Sequence, residues 1–361
     1  MVDLQEVLTL LLALLLLWIA LNALWRLRVL SRLIPGAELR YGVLLVAKKP
    51  GKATPKKTTS IRLLGLVGGL LYLLALALSL YALLATAAKS IHTGERGIIV
   101  LIPGLNVVGE DLLYFLVAVF IAVSLHEYLH AKIALKAGVP VKSWGIMLAL
   151  IIPAAFIEVD EEVFEKASKA AKVAILSMGI AANLALALLS AQIAQFIVQP
   201  GGFVITSIEN GSLADRYGLK PHDVVYYING TSATIDALRT FLNNTEPAVL
   251  VLQIYRPGEG LKEVVVYKGR NETRLGVTLI PLAPNERVVW LIGTLWFIHV
   301  FKALMWIYVV NFGLMLINAL PLFITDGGRI VDILLGPKAS KAVNAIALAL
   351  LLLVLVFSGR L

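Results

Sequence analysis

Six long runs of apolar residues restrict what this chain can fold into more than any other feature of its sequence. A helix needs about 20 apolar residues to cross the hydrocarbon core of a bilayer. Runs of this kind cover residues 8–25, 63–88, 112–135, 174–198, 303–320 and 343–358. The first run is followed by arginines and not by a small-residue cleavage site, so we expect a retained span rather than a removable signal peptide. The pattern predicts a mainly α-helical, polytopic membrane protein with about six spans, in contact with membrane lipid.

The net charge of +9 indicates orientation in the membrane rather than a nucleic-acid partner. Residues 26–62, between the first two runs, hold ten Lys or Arg residues and a single acid, which accounts for the whole excess. Basic loops between spans mark the cytoplasmic side. Alternation then places 136–172 and 326–341 inside and 200–287 outside. We expect an integral protein of a prokaryotic plasma membrane, with no nucleic acid bound.

Residues 200–283 differ in kind from the apolar runs. Short segments of alternating apolar and polar residues are separated there by Gly, Asn and Pro, which is the pattern of strands and turns. The segments are 204–208, 224–228, 249–255, 263–267 and 274–279. We predict a small β-rich, water-soluble domain inserted between membrane helices.

The third apolar run contains the pentad His126-Glu127-Tyr128-Leu129-His130. Residues four apart lie on one face of a helix, so both imidazoles can reach one zinc ion, while Glu127 can serve as general base. Charged groups inside a membrane are costly and usually functional. The alternative is a polar contact between helices. The chain has no cysteine, so zinc can be bound only by His, Asp or Glu.

A catalytic zinc site usually has three protein ligands, so a third ligand is needed. Asp326 is the best candidate, because it follows an apolar run on the same side of the membrane as the pentad. Pro321 can end the preceding helix, and Gly327 and Gly328 can form a tight turn that directs the carboxylate back towards the membrane. The alternative, equally compatible with the sequence, is that Asp326 caps the next helix.

These motifs together resemble the site-2 proteases, a family of intramembrane zinc metalloproteases. The pentad matches the first family motif, Asn318-x-x-Pro321-x-x-x-x-Asp326-Gly327 matches the second, and Gly179-x-x-x-Asn183 resembles a third. Further segments at 101–106 and 145–156 resemble the branch that includes the animal enzyme and archaeal relatives. Thr325 stands where the family usually has Leu, and Ala154 where this branch often has Gly. Both differences concern local substrate fit.

The resemblance implies the roles of the individual residues. His126, His130 and Asp326 would bind Zn2+ and Glu127 would be catalytic. Residues 145–159 would form a re-entrant strand that pairs with an unwound transmembrane substrate. Asn318 would contact the substrate or an oxyanion, although a helix C-cap explains it as well. Asn183 would contact substrate, or would simply allow close helix packing with its Gly partner.

Residues 201–283 resemble a PDZ domain of the bacterial protease type. The resemblance rests on 204–208, 210–214 and 223–230, with Leu238 and Leu242 in the helix and 275–277 in the last strand. Such domains bind a peptide or a C-terminal tail by strand addition beside a helix. A steric gate with an empty groove is the alternative for this inserted type.

The domain organisation follows from these assignments. Two N-terminal spans and the basic loop occupy 1–110, and the first half of the catalytic core occupies 111–199. The PDZ-like domain occupies 200–284 outside the cell, and the second half of the core occupies 285–361. The expected function is proteolysis of membrane-spanning substrates, either in signalling or in clearance of membrane remnants.

Two other classes of protein compete with this interpretation. A PDZ-bearing scaffold or pseudoprotease would use the metal only structurally, but a structural zinc site normally has four protein ligands and no fourth is evident. A transporter would show repeats with paired broken helices, and no repeat joins the two halves of the sequence.

Overall fold

The computed structural model describes residues 4–29, 32, 37–40, 43–48, 60–93, 99–149, 151–270 and 272–358. Ten helices are defined within these residues: α1 (Leu4–Arg26), α2 (Ile61–Thr93), α3 (Glu110–Ala137), α4 (Glu161–Lys166), α5 (Lys169–Ile197), α6 (Leu213–Arg216), α7 (Ile235–Asn243), α8 (Glu286–Ala319), α9 (Asp326–Leu335) and α10 (Pro337–Ser358). The strands are β1 (Ala37–Arg40), β2 (Val43–Lys48), β3 (Val141–Ala149), β4 (Ile152–Val159), β5 (Val198–Gln199), β6 (Phe203–Ile208), β7 (Val224–Ile228), β8 (Thr231–Ser232), β9 (Ala248–Arg256), β10 (Gly260–Lys268), β11 (Val277–Ile280) and β12 (Ala283–Pro284).

Five helices among the described residues are long and apolar enough to cross a membrane: α2, α3, α5, α8 and α10. They correspond to the last five apolar runs of the sequence. The N-terminal helix contributes a shorter apolar segment, Leu15–Arg26. The fold is therefore mainly helical with a small β-rich part, and the sixth span stays a prediction.

The helix α3, which carries the pentad, has recognisable ends. Glu110 and Asp111 lie in its first turn, where negative charge is favoured by the helix dipole. Gly138 ends the helix with a left-handed backbone (φ 84°), and its N–H bonds to the carbonyls of Ala134 and Leu135. Both histidines of the pentad lie well inside these ends, so their spacing is that of a regular helix.

A four-stranded antiparallel sheet has the order β1-β2-β3-β4. Its strands β1 and β2 come from the basic 26–62 segment, for which the sequence indicated only a loop; Lys49, Lys52, Lys56 and Lys57 of that segment lie outside the described residues. Strand β2 pairs with β3 from Val43–Ala149 to Lys48–Trp144. This pairing brings β2 beside β3, in keeping with the prediction that the segments containing them lie on one side of the membrane.

The chain divides into two compact units, residues 1–189 with 306–361 and residues 190–305. The first unit has its main core between α2, α3, α5, α8 and α9. Tyr72, Ala134, Ile180, Met315 and Ile330 lie at its centre, each at most 2% exposed. Small residues allow helices to approach closely, and both α3 and α5 contribute alanines to this core beside larger aliphatic residues.

The second unit contains a sheet of order β10-β9-β7-β6-β11, with β8 paired to β7, and a short β5–β12 pair. The strands coincide closely with the alternating segments of the sequence. Phe203, Ile205, Leu250, Leu252 and Ile254 form a fully buried core beneath α7. A small β-rich domain is thus present, and its PDZ character stays a prediction.

A buried ion pair lies within this β-rich unit. The Arg256 guanidinium donates from Nε and Nη2 to the two carboxylate oxygens of Asp223, at 2.8 and 2.7 Å. The N–H of Lys220 donates to the same carboxylate and Arg256 also reaches the carbonyl of Gly218. Every charge is hydrogen-bonded, which is the condition under which a buried pair is tolerated.

Helix α8 is interrupted ahead of the 303–320 run. The backbone of Gly293 departs from helical geometry (φ 75°, ψ 166°), and helical structure continues from there to Ala319. The span is therefore longer than the predicted 303–320. On the N-terminal side of the break, Trp290 and Leu291 are exposed, as expected of an interfacial segment.

Candidate metal centre

His126 and His130 lie one turn apart on the same face of α3 and are both buried. Their Nε2 atoms approach to 2.9 Å. Two ring nitrogens facing each other at this distance need either a shared proton or a shared cation. The pentad therefore brings two imidazole nitrogens together on one helix face, as its spacing predicted, and their role as metal ligands stays a prediction.

Asp326 is brought to the same point from the other end of the chain. Its Oδ2 atom lies 3.1 Å from Nε2 of His126 and 3.2 Å from Nε2 of His130. Burial opposes ionisation of this carboxyl, but His130 and His126 outweigh that effect, and the pKa of Asp326 lies well below its ordinary value. The carboxylate is thus available as a ligand.

Asp326 does not cap helix α9; Thr325 does. The Thr325 hydroxyl accepts from the N–H of Gly328 and donates to the carbonyl of Leu320 at 2.6 Å, and it also bonds to the backbone of Leu322. Thr325 is 4% exposed, so its side chain points into the loop and not towards a substrate. The sequence drew attention to Thr325 only as a departure from the family pattern, and its role in holding the loop was missed.

Gly327 and Gly328 are not a tight turn, contrary to the sequence-based expectation. They belong to the first turn of α9. A Cβ atom on Gly327 would lie 2.5 Å from the carbonyl oxygen of Ala319, and a Cβ atom on Gly328 would lie 1.8 Å from the carbonyl oxygen of Leu322. Glycine is needed because the helix start packs directly against the end of α8 and against the loop that follows it. This close packing sets the position of the neighbouring Asp326.

Gly179 on α5 forms the floor of the site. A Cβ at this position would lie 2.4 Å from Nε2 of His130 and 2.7 Å from Nε2 of His126. Only glycine leaves the space that the two imidazoles occupy. The sequence placed Gly179 in a motif, but its contact with the ligands required the packing of α5 on α3.

The protonation of His130 suits a metal ligand. Its Nδ1 lies 2.7 Å from the carbonyl oxygen of Ile175 and must donate to it, so a neutral ring has its lone pair on Nε2. Nδ1 of His126 is buried without a hydrogen-bond partner among the described residues. Four-coordinate zinc with bonds of about 2.0–2.1 Å holds its ligand atoms about 3.3 Å apart. The three observed separations fit that geometry.

These three residues are the one group of His, Asp and Glu within the described residues that can share an ion, with ligand atoms within 4.8 Å of one another. The histidines at 92, 222 and 299 join no such group there. A fourth protein ligand is likewise absent from the described part of the chain. The arrangement leaves a position for water or substrate.

Glu127 lies next to the ligands on α3 and is partly exposed. The backbone N–H of Ile157 on β4 is a hydrogen-bonding neighbour of its carboxylate. Glu127 is not part of the three-residue group. It is therefore placed between the candidate metal centre and the edge of the four-stranded sheet.

The two asparagines have different surroundings. Asn318 lies in the last turn of α8, is partly buried, and makes no capping hydrogen bond within the described structure. Asn183, one turn beyond Gly179 on α5, is fully buried, and neither of its amide atoms has a partner among the described residues. Within the described residues, neither amide caps a helix or takes part in a hydrogen-bond network.

Comparison with known protein families decides the classification. The family model for peptidase family M50 matches residues 114–357. The chain belongs to peptidase family M50. The match includes the pentad, Gly179, Asn183, Asn318 and Asp326, and the resemblance to site-2 proteases is confirmed.

The M50 chain also has a curated relative that carries no functional name. It is 32% identical over 216 residues to the uncharacterized protein MJ0971 of Methanocaldococcus jannaschii. The alignment covers 59% of this chain and 54% of the relative, so the chain spans about half of that protein's length. Membership of M50, whose proteases are generally zinc-dependent, and the five apolar helices together support a membrane metalloprotease in general terms.

Proposed function

We propose that this M50 protein is an intramembrane zinc metalloprotease that hydrolyses peptide bonds of membrane-spanning substrates. The observation that carries the proposal is the meeting of His126, His130 and Asp326 within 3.2 Å beside a helix long enough to span a bilayer. The site has three ligands and no fourth in the described residues, as catalytic sites do and structural ones do not.

Each residue of the site has its own role in the proposed reaction. His126, His130 and Asp326 would hold the ion, and Gly179 keeps space for their rings. Bound zinc supplies Lewis acidity and lowers the pKa of water to about 7. Glu127 accepts the proton from the attacking water and passes it to the leaving nitrogen. The amides of Asn318 and Asn183 are candidates for contact with the substrate backbone.

Strand β4 is suited to hold an unwound substrate next to Glu127. Within the described residues β4 pairs only with β3, so no strand occupies its other edge, which lies near Glu127 of α3. The N–H of Ile157 faces Glu127 and not β3. Alternation along the strand places the N–H of Ala155 and the nitrogen of Pro153 at the same open edge. Proline is tolerated in a strand at this kind of position, which supports the assignment.

The β-rich unit offers a second place for a peptide. Strand β11 pairs only with β6 among the described strands, and a groove of about 580 Å³ runs between β11 and α7. Ile235, Leu238 and Leu242 supply its apolar wall, with Arg239 and Arg274 at its rim. This geometry suits strand addition by a peptide or C-terminal tail. A gate with an empty groove is distinguished by titrating labelled peptides, because a gate would bind none.

The second candidate function is a membrane scaffold that uses the groove in the β-rich unit and keeps the metal only for structure. The groove favours this reading, and the three-ligand site opposes it. The two functions predict different effects when the carboxylate of Glu127 is replaced, because a protease needs a general base and a scaffold does not.

The experiment compares cleavage of a tagged single-span substrate by the purified native chain, Glu127→Gln and Glu110→Gln. Glu110 lies in the first turn of α3, so its substitution is a matched control on the same helix. We expect bound zinc in all three proteins, cleavage by the native chain and Glu110→Gln, and a loss of at least about a hundredfold in Glu127→Gln. Equal cleavage by Glu127→Gln rejects the catalytic assignment. Zinc without cleavage in any protein favours the scaffold.

A further inference from the structure

One face of helix α2 is buried against the helices that build the candidate metal centre. Its buried residues follow one another at alternating intervals of three and four: Gly65, Gly68, Tyr72, Ala75 and Ser79. This spacing is that of a helix seam packed against neighbouring helices. Helix α2 precedes residues 114–357, which the M50 family model matches. The contacts of this face are therefore features of the chain that the family match does not cover.

The first part of this face packs on α5. A Cβ atom on Gly68 would overlap Oγ of Ser177, so only glycine permits this close approach of the two helices. Ser177 lies on α5 between Ile175, whose carbonyl oxygen bonds to His130, and Gly179, which leaves room for the ring. Helix α2 therefore supports the stretch of α5 that orients one candidate ligand.

Tyr72 extends from α2 to the start of α9. It is 2% exposed, and its hydroxyl group donates to the carbonyl oxygen of Gly327 at 3.4 Å. Gly327 follows Asp326 directly in the first turn of α9. Because the hydroxyl group is buried inside a membrane span, water does not compete for it and even a long hydrogen bond is retained. The contact thus holds the backbone next to the third candidate ligand.

Ser79 contacts the helix on the other side of the loop 320–325. Its Oγ lies 3.1 Å from the carbonyl oxygen of Leu316 and 2.7 Å from that of Ala75, so its one proton is shared between α8 and α2. Leu316 lies in the last turn of α8, where backbone carbonyls lack their full set of helical partners. Tyr72 and Ser79 together bind both helices that flank the loop.

The position of Asp326 depends on these helices more than the positions of the histidines do. His126 and His130 are held at a fixed spacing by a single helix. Asp326 is brought within 3.1 and 3.2 Å of them only by the placement of α8 and α9. A metal ligand from a distant part of the chain binds well only where the surrounding structure holds it in place.

We propose that α2 acts as a clamp for the candidate metal centre, with Tyr72 and Ser79 as positioning residues for Asp326. Gly68 packs α2 on the helix that orients His130, and the two hydroxyl groups hold the helices that present the carboxylate. The inference rests on the proposed zinc protease. It adds that hydroxyl groups on a helix before the matched region set the affinity of the centre for its ion.

The test removes each hydroxyl group separately, with Tyr72→Phe and Ser79→Ala. Tyr81→Phe and Ser90→Ala are the matched controls on the same helix. Tyr81 is 72% exposed, and the buried Oγ of Ser90 has no hydrogen-bond partner among the described residues. The same chemical changes are thus made where no contact with α8 or α9 is lost.

Two readouts on the full-length chain in detergent are independent of proteolysis. The first is zinc affinity, measured by competition with a chelator. The second is the visible absorption spectrum of the cobalt-loaded chain, because Co2+ accepts the ligands of zinc and its bands respond to their geometry. The thermal transition of the metal-free chain is recorded beside them.

We expect zinc affinity to fall by about three- to tenfold in Tyr72→Phe and in Ser79→Ala, as the loss of one hydrogen bond predicts. The two positions lie about two turns apart on α2, so the double variant should show the product of the two factors. The cobalt bands should shift in both variants, because the carboxylate of Asp326 moves. Tyr81→Phe and Ser90→Ala should match the native chain in both readouts.

The failure of this inference differs from the failure of the proposed function. Native zinc affinity with a native cobalt spectrum in both test variants would overturn the role of α2, and so would equal losses in the controls. A lower thermal transition with an unchanged cobalt spectrum would also overturn it, by assigning the hydroxyl groups to stability alone. A native chain that binds no zinc would overturn the proposed metal centre itself.

Discussion

His130 is tied to the carbonyl of Ile175 by a 2.7 Å hydrogen bond from its Nδ1. The bond joins α3 to α5 and fixes both the tautomer and the orientation of the ring. Because Gly179 lies one turn further along α5, the same helix orients one ligand and leaves room for both rings. The geometry of the candidate metal centre thus depends on how α5 packs as well as on the pentad.

Gly179→Ala should abolish or strongly weaken zinc binding. The added methyl would overlap Nε2 of His130 at 2.4 Å and that of His126 at 2.7 Å, so at least one imidazole must move. We expect zinc affinity to fall by at least about tenfold, as when supporting groups around a metal are changed. Zinc content by atomic emission, after titration against a chelator, measures the effect.

Gly313→Ala is the control for this substitution. Gly313 lies within the span of α8, and a Cβ there would meet nothing within 4 Å. The same chemical change should therefore leave zinc affinity unaltered. Native zinc affinity in Gly179→Ala would show that the glycine does not shape the site.

Thr325→Val should weaken the metal centre although Thr325 is not a ligand. Valine keeps the shape of the side chain but removes the hydroxyl that caps α9 and bonds to Leu320. The free energy of unfolding should fall by about 1–2 kcal/mol or more. We expect a lower thermal transition and about tenfold weaker zinc binding, both measured on the full chain in detergent. Thr325→Ser keeps the hydroxyl and should behave as the native chain does; equal loss in both variants would refute the capping role.

Ala155→Pro should impair substrate use while the sheet stays intact. Position 155 presents its N–H to the open edge of β4, so proline removes a bond to the substrate but none to β3. We expect kcat/KM for a membrane-spanning substrate to fall by about tenfold with zinc content unchanged.

Ala154→Pro is the reciprocal variant, since position 154 directs its N–H towards β3. It should disturb the hairpin itself and lower the thermal stability of the chain. If Ala155→Pro cleaves normally, or if both prolines destabilise the protein equally, β4 does not bind substrate by its open edge.

Local spacing explains why half of the site could be predicted from the sequence. His126 and His130 need only four residues of regular helix to share a face, and Glu127 follows with them. Asp326 could be proposed as a ligand, but helix capping was an equally good explanation. The choice between them rests on Thr325, whose buried hydroxyl holds the loop, and this contact is visible only in three dimensions.

Non-local pairing explains what could not be predicted about the fold. The strands of the β-rich unit have clear alternation and were located to within a few residues. Strands β1 and β2 lie in a segment dominated by its charge, and they form only because β3, about a hundred residues later, provides a partner. The role of Gly328 was likewise misread, because the carbonyl of Leu322 that excludes a side chain lies in the loop between α8 and α9, and the path of that loop is visible only in three dimensions.

Zinc K-edge X-ray absorption of the purified chain, alongside Asp326→Ala, tests the central claim most directly. The native spectrum should show two imidazole nitrogens at about 2.0–2.1 Å and oxygen ligands at about 2.0–2.2 Å from the zinc. In Asp326→Ala one oxygen ligand should be lost or replaced by water, and the affinity for zinc should fall. Zinc bound with one imidazole or none, or an identical spectrum and affinity in Asp326→Ala, would contradict a centre built from His126, His130 and Asp326.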